Sequence, residues 1–351
     1  MPDSWQTELA QSITDINVLC RILDLPQRLA NQGLATAQQY PLRVCRPFVH
    51  RIEKGNPDDP LLLQILPQDK ELRIADGFTA DPLEETRPPV MLQQEKNCGV
   101  LQKYAGRTLL LTTNQCGMYC RFCFRRWTRT ETRADNCVVG PNISEVILSG
   151  GDPLMLSDDK LFQLVNGFRE NPTIKRIRIH TRLPVILPSR ITDALLSLIN
   201  TVSCGAIYLV FHINHLNELS DEFFEMISRI RGAVLLSQTV LLKGVNDNAD
   251  TLATLFETLV NHRIVPYYLH QLDKVQGAAH FEVPPPEGLK IMTQLEKRLP
   301  GYAVPKYVRE VPNEAAKVQI RPECTSAHIS IEQFHEDNGE NQKKGQPAAE
   351  M

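Results

Sequence analysis

Residues 107–123 read Arg-Thr-Leu-Leu-Leu-Thr-Thr-Asn-Gln-Cys-Gly-Met-Tyr-Cys-Arg-Phe-Cys. The first seven, Arg107 to Thr113, are an apolar, β-branched run with the length and composition of a buried strand. The run leads into Cys116, Cys120 and Cys123, a C-x3-C-x2-C spacing within one short loop. A cubane iron–sulfur cluster normally takes four thiolates. Three leave one iron with an open position, where a small molecule can bind and react. A strand feeding such a loop, with helical sequence after it, is how a barrel presents a metal at the carboxyl ends of its strands. Structural zinc is the competing reading, but it needs a fourth ligand. The nearest spare thiol, Cys137, is 14 positions beyond Cys123 and has no CxxC or HxxxH partner nearby. Disulfide use is disfavoured by the odd count of 9 cysteines and by the lack of a secretory segment.

Outward from this loop the chain alternates short apolar runs with helical periodicity. Strands are expected at Thr108–Thr112, Glu145–Ser149, Arg176–His180, Ala206–Phe211, Leu235–Val240 and Val265–His270. Helices are expected at Asp158–Glu170, Ser189–Thr201, Asp221–Ile230 and Ala249–Asn261. Repeated strand–helix units imply an α/β fold with a parallel sheet and right-handed crossovers. Residues 1–100 carry helical spacing (Ile13, Ile16, Leu19, Leu23) and then proline-punctuated loops at Pro57-Asp-Asp-Pro60 and Arg87-Pro-Pro89. They read as a mostly helical cap on a core spanning 101–320. Residues 321–351 form an extension, and its composition predicts disorder from about residue 335.

The 351 residues are 42% hydrophobic, enough for one large core or two small ones. A net charge of −3 gives no basic excess for nucleic acid. No apolar run approaches the roughly 18 residues of a membrane helix. The opening Met-Pro-Asp-Ser-Trp-Gln has no basic region followed by an apolar one. A reduced, cytoplasmic location is the expectation, and an exposed cluster would require it.

Gly150-Gly151-Asp152-Pro153 closes a strand 27 residues after the third cysteine. Two glycines let the backbone approach a ligand closely and leave bare amides for it, although the same residues also make ordinary strand-to-helix turns. Asp152 could orient the turn rather than touch the ligand.

The cysteine spacing, with Tyr119 before Cys120, resembles the signature of radical S-adenosylmethionine (SAM) enzymes. The wider string Cys116-Gly-Met-Tyr-Cys-Arg-Phe-Cys-Phe-Arg-Arg126 resembles the lysine 2,3-aminomutase family more narrowly. Similar strings recur at Leu148–Leu154, Leu183–Thr192, Phe211–Glu218 and Gln238–Asp247, so the resemblance runs in order from about Lys103 to Lys317. It implies a partial (βα)6 TIM-type barrel, the radical SAM core. It also implies a [4Fe-4S] cluster on Cys116, Cys120 and Cys123. SAM would then be held by Gly150, Gly151 and Asp152, with His212 and Gln238 matching further SAM-contacting positions. An electron from the cluster would cleave the sulfonium and leave a 5′-deoxyadenosyl radical.

The resemblance further implies pyridoxal 5′-phosphate (PLP) on Lys317, whose amine would be the Schiff-base nucleophile. Asn313-Glu-Ala-Ala316 stands where the family has glycines. Arg107 matches a phosphate-binding arginine, and Lys103 replaces a second one, keeping the charge without two-donor geometry. For the substrate, Arg125 matches the arginine that clamps the carboxylate, with its neighbour Arg126 as the alternative. Asp273 and Glu310 match two carboxylates that meet the ε-ammonium of lysine. Cys324 has no CxC or CxxC after it, so the zinc module of catabolic lysine mutases is not expected. This resembles the branch that converts (S)-α-lysine to (R)-β-lysine for a ligase acting on elongation factor P. The implied partners are thus lysine, that ligase and elongation factor P, with room for an oligomer and no role for nucleic acid or membrane. A free-standing lysine or glutamate mutase and a non-catalytic iron–sulfur sensor are the alternatives.

Overall fold

Among the described residues, nine strands follow one another across a single sheet in the order of the chain. They are β1 (Val100–Tyr104), β2 (Arg107–Thr113), β3 (Glu145–Gly150), β4 (Arg176–Thr181), β5 (Ala206–His212), β6 (Ala233–Val240), β7 (Val265–His270), β8 (Lys306–Arg309) and β9 (Val318–Gln319). The computed structural model describes residues 4–86, 99–128, 142–201, 205–312, 314 and 316–322, apart from the side chain of Lys103. Strands β2 to β8 are all parallel, and β1 and β9 close the two edges as antiparallel partners of β2 and β8. Sequential parallel neighbours separated by helices build the wall of a TIM-type partial barrel. At the first edge the chain turns back through Ala105-Gly106, where Gly106 has a φ of 71° that disfavours a side chain.

All six strands expected from the sequence are present. A seventh parallel strand, β8, escapes the pattern because it is four residues long and buries only Tyr307 and Val308. Four of the helices between strands start where a side chain can accept one of the first orphan amides. Ser157, Thr192, Ser220 and Asn248 cap Asp158–Arg169, Asp193–Asn200, Asp221–Ser228 and Ala249–Asn261 in this way. A fifth helix, Pro285–Arg298, begins on prolines that lose nothing at a helix start.

The amino-terminal region is helical, with helices at Ser4–Ala10, Ile16–Ile22 and Gln27–Gln39 and short turns at Arg46–Val49 and Pro60–Leu63. The expected apolar spacing is buried throughout, but Ile13 precedes its helix and bridges to Val44, because Asp15 caps the helix at Ile16. Pro57–Pro60 is more than a loop: buried Asp59 accepts from Leu61 N (2.8 Å) and Leu62 N (3.0 Å) and starts a helical turn. Trp5, Ile16, Leu19 and Phe48 share one hydrophobic core with Leu183, Ile186 and Phe211 of the barrel side. Among the described residues no helix is long and apolar enough to cross a membrane. The helical sequence expected after the cysteine loop and the disorder expected from residue 335 lie outside the described residues.

The cysteine loop has no regular structure of its own, and buried charge fixes it from below. Glu71, in a helical turn at Asp69–Leu72, pairs with Arg121 (2.7 and 2.9 Å) and with Arg126 (2.7 Å), and all three side chains are essentially solvent-free. Arg121 also donates to Tyr40 O at 2.9 Å, and both guanidiniums lie over the Tyr40 ring. Removing one member of a buried ion pair leaves an uncompensated charge, at a cost of about 3–5 kcal/mol. Glu71→Gln should therefore lower the unfolding free energy by about that amount, since it strands two guanidiniums. Equilibrium denaturation checks it, and a loss below about 1 kcal/mol would show that the clamp contributes no more than an exposed ion pair.

Candidate active site

A cavity of about 340 Å³ opens at the carboxyl ends of the strands. Every site residue expected from the sequence lines it except Lys103, whose side chain lies outside the described residues. Those residues come from the end of nearly every barrel strand: Cys116 follows β2, Gly151 follows β3, His212 ends β5, Gln238 lies late in β6, Asp273 follows β7 and Glu310 follows β8.

The three thiols are partly buried and not joined in disulfides. The loop is threaded under the cap by backbone bonds from Tyr119 N to Arg43 O and from Arg121 N to Gln64 O, both 2.9 Å. Phe122 turns inward and packs on the His212 ring at 5.7 Å and edge-on to Phe281 at 6.1 Å. No three Cys, His, Asp or Glu side chains among the described residues close around a single ion. One zinc would draw its thiolates to about 4 Å from each other, whereas a cubane is a larger body with its ligands at separate corners. Three thiols on one loop facing one cavity suit that donor set. Burial pushes the Cys120 thiol up, opposed by the Arg182 guanidinium, whose Nη1 donates to Cys120 Sγ at 3.0 Å.

The Gly-Gly-Asp segment serves the backbone first. A Cβ on Gly151 would sit 2.0 Å from Gln115 O, and one on Gly150, at φ 121°, would sit 2.5 Å from Thr113 O. The glycines let β3 close against the strand that leads into Cys116. Two amides of the turn are not bare: Gly151 N donates to Thr113 O (2.6 Å) and Asp152 N to Gln115 O (2.8 Å). Carbonyl oxygens, which can accept from an amino group, are what this turn can offer a ligand. Asp152 is an anchor, accepting from Leu154 N, Thr181 Oγ1, Arg182 N and Leu183 N at 2.7–3.0 Å. It ties the end of β3 to the end of β4.

Gln238 Oε1 lies 3.1 Å from His180 Nδ1, and His212 Nε2 lies 3.1 Å from Asn214 Oδ1. Burial, with nearby cations, depresses His180 to about 3 and holds His212 and His270 well below the usual imidazole range. All three rings are therefore neutral hydrogen-bonding groups at neutral pH. His180 Nε2 is buried with no partner among the described residues, an acceptor left for whatever enters the cavity.

At one side Arg125 is held flat. Its Nε and Nη2 pair with Glu85 (2.7 and 3.0 Å), and Nη1 donates to Ser149 Oγ (3.1 Å) and Gly150 O (3.3 Å). Burial opposes its charge, yet the Glu85 carboxylate holds the guanidinium above its ordinary value. The two-donor face expected for a substrate is thus occupied by a carboxylate of the cap, leaving one Nη2 N–H outside these bonds. Arg126, the alternative, is committed to Glu71. At the other side Lys317 Nζ pairs with Glu310, which also accepts from Tyr104 Oη, and lies 5.9 Å over the Tyr268 ring. Arg309 pairs with Val318 in the β8–β9 hairpin, so Glu310 and Lys317 are the next cross-strand pair. This fixes the register of Lys317 whatever stands at 313–316. Arg107 stacks over Tyr104 at 4.9 Å.

Arg182, Glu85, Tyr104, His180 and His270 line the same cavity without having been singled out from the sequence. His180 and His270 sit at strand ends like His212, and that shared position was the available signal. Glu85 and Arg182 act through partners 40 and 62 positions away, which no local spacing reveals.

No family model matches the chain. It is 43% identical over 337 residues to the L-lysine 2,3-aminomutase of Escherichia coli (strain K12), covering 91% of this chain and 94% of that protein. It is 40% identical to the L-lysine 2,3-aminomutase of Haemophilus influenzae, over 90% of this chain and 94% of that one. The L-lysine 2,3-aminomutase of Clostridium subterminale is 31% identical, over 91% of this chain and 78% of its own length. Identity at this level over nearly the whole chain makes this protein an isomerase and a member of the L-lysine 2,3-aminomutase family.

Proposed function

We propose that the chain converts (S)-α-lysine to (R)-β-lysine with a [4Fe-4S] cluster, SAM and PLP, and that the product serves the β-lysylation of elongation factor P. The observation that carries the reading is the single cavity onto which three thiols, the Lys317 amine and the carboxylates Asp273 and Glu310 all open. When bound, the cluster supplies the electron that cleaves SAM, and PLP supplies the carbonyl that carries the migrating amino group. Cys116, Cys120 and Cys123 would hold the cluster. The Gly150–Asp152 turn, His212 and Gln238 would position SAM beside it, with carbonyl oxygens rather than amides meeting its amino group. Lys317 would anchor PLP, and Arg107 its phosphate.

The substrate is read at its two ends. Arg125 offers its remaining Nη2 N–H and its charge to the α-carboxylate. Glu310 already pairs with an ammonium, that of Lys317. With the Lys317 nitrogen engaged by PLP, the charges of Glu310 and Asp273 would face the ε-ammonium of lysine. A buried cation needs such partners, and a substrate without that charge would leave two carboxylates unpaired. The assignment to the elongation factor P branch is supported by the resemblance of the sequence motifs and by the match over nearly the full length of the Escherichia coli relative. Anaerobic incubation with (S)-α-lysine, SAM, PLP and a reductant, followed by chiral analysis, tests the reaction. Mass analysis of elongation factor P co-expressed with its ligase tests the use of the product.

Ala at Cys116, Cys120 or Cys123 should abolish iron loading and SAM cleavage, while Ala at Cys20 or Cys45, buried in the core, should leave iron content unchanged. Equal iron in all five variants would remove the thiols from the reading. For Lys317→Ala we expect a retained cluster but no pyridoxyl group fixed by borohydride; labelling of another lysine, such as Lys306, would show that the anchor lies elsewhere. Asp273→Asn should lower kcat/KM for lysine on the order of a hundredfold or more, from a loss of about 3–5 kcal/mol, with reductive cleavage of SAM preserved. Glu310→Asp should be milder than Glu310→Gln. Normal lysine turnover in both Asp273→Asn and Glu310→Gln would mean that these carboxylates do not select the substrate.

A further inference from the structure

Arg182 stands just beyond the carboxyl end of β4, away in sequence from the sulfur loop, with its side chain buried. Its three donor contacts point to three different elements. Nη1 meets Cys120 Sγ at 3.0 Å, while Nη2 meets Gln64 Oε1 at 2.7 Å and Glu218 Oε2 at 2.9 Å. The guanidinium lies 5.6 Å from the centre of the Phe122 ring, inside the loop that carries the thiols. Its partner Glu218 is fully buried and is itself held by Gln64 Nε2 (3.0 Å) and by the amides of Asn214 (3.1 Å) and His215 (3.2 Å). Asn214 in turn donates to Gln64 Oε1 at 2.9 Å. The guanidinium therefore cannot swing away, and one N–H is directed at sulfur. A neutral thiol is a weak acceptor, so a fixed buried cation there matches a thiolate.

We propose that Arg182 is a positioning residue for the iron–sulfur cluster: it holds the Cys120 thiolate in place and raises the reduction potential of the cluster that this thiolate ligates. The inference rests on the reading of Cys116, Cys120 and Cys123 as cluster ligands. One-electron reduction adds a negative charge to the cluster and its thiolates. A positive charge and a hydrogen bond at one sulfur stabilise the reduced form more than the oxidised one, and outer partners of this kind set both ligand orientation and potential. The site is shielded by Phe122 and by Phe48, whose ring is 6.0 Å from the guanidinium, so solvent screens the charge little. Glu218 offsets part of the charge but lies on the other nitrogen, away from the sulfur.

The test compares wild type, Arg182→Gln and Arg182→Lys, each reconstituted anaerobically and titrated potentiometrically without SAM, with the reduced cluster followed by electron paramagnetic resonance. Arg182→Gln should shift the midpoint to more negative values, by at least a tenfold fall in the reduced-to-oxidised ratio at fixed potential, about 59 mV for one electron. Arg182→Lys keeps the charge but loses the fork to Gln64 and Glu218. Its midpoint should fall between the other two, even though both variants lose the same structural bridge. Midpoints equal to wild type, a positive shift in Arg182→Gln, or identical shifts in the two variants would overturn the proposal. So would failure of both variants to assemble a cluster that wild type carries, because the role would then be structural. If wild type itself bound no four-iron cluster, the reading of the three cysteines would fail first, and iron and sulfide analysis separates that result from the others.

Discussion

Glu71 sits beneath a loop that has no hydrogen-bond ladder to define it. A strand or helix fixes its side chains through its own backbone, but residues 114–128 are turns and bends. What holds them is charge: one buried carboxylate between Arg121 and Arg126, with a tyrosine face against both cations. Such an arrangement is costly to desolvate, and hydrophobic residues of equal volume often stabilise a fold as well. Its advantage is direction. Two arginines flanking Cys123 can satisfy one carboxylate in only a few loop conformations, so the thiols inherit a defined placement from a pair of ion contacts.

The same logic extends across the cavity. Arg125 lies flat against Glu85, Arg182 against Glu218, and Lys317 against Glu310. These three cations on the cavity wall each have a carboxylate partner, and one of those carboxylates, Glu85, belongs to the amino-terminal region, as does Glu71 beneath the loop. That region therefore does more than cover the barrel. It supplies countercharges that let guanidiniums exist in a site where three histidines have been driven neutral by burial. Closure of this kind also keeps water from reactive species.

Much of this was legible in the sequence because it is local or repetitive. The six apolar runs became six parallel strands, and the glycine turn, His212, Gln238, Asp273, Glu310 and Lys317 reached one cavity. They did so because residues just after successive parallel strands must emerge at the same end of a barrel. Strand β8 stayed hidden because four residues carry no alternation that could be distinguished from a loop. The function of the glycines was legible only in part: their need for space was evident, but the space is filled by Thr113 and Gln115. Contacts such as Glu85 to Arg125 and Arg182 to Cys120 join distant segments by charge, and charge carries no period that a linear reading can find.

The short hairpin that ends the barrel carries a constraint of a different kind. Strand β9 is two residues long, and its antiparallel pairing with β8 sets Lys317 opposite Glu310. Side chains alternate between faces along a strand, so a one-residue slip of β9 against β8 would send Lys317 to the opposite face, whereas residues 311–316 only connect the two strands. The identity of those six residues is a different matter, since the register is imposed by the strands on either side. A connection of this sort can exchange glycines for Asn, Glu and Ala and still deliver the amine, so long as β9 keeps its pairing with β8.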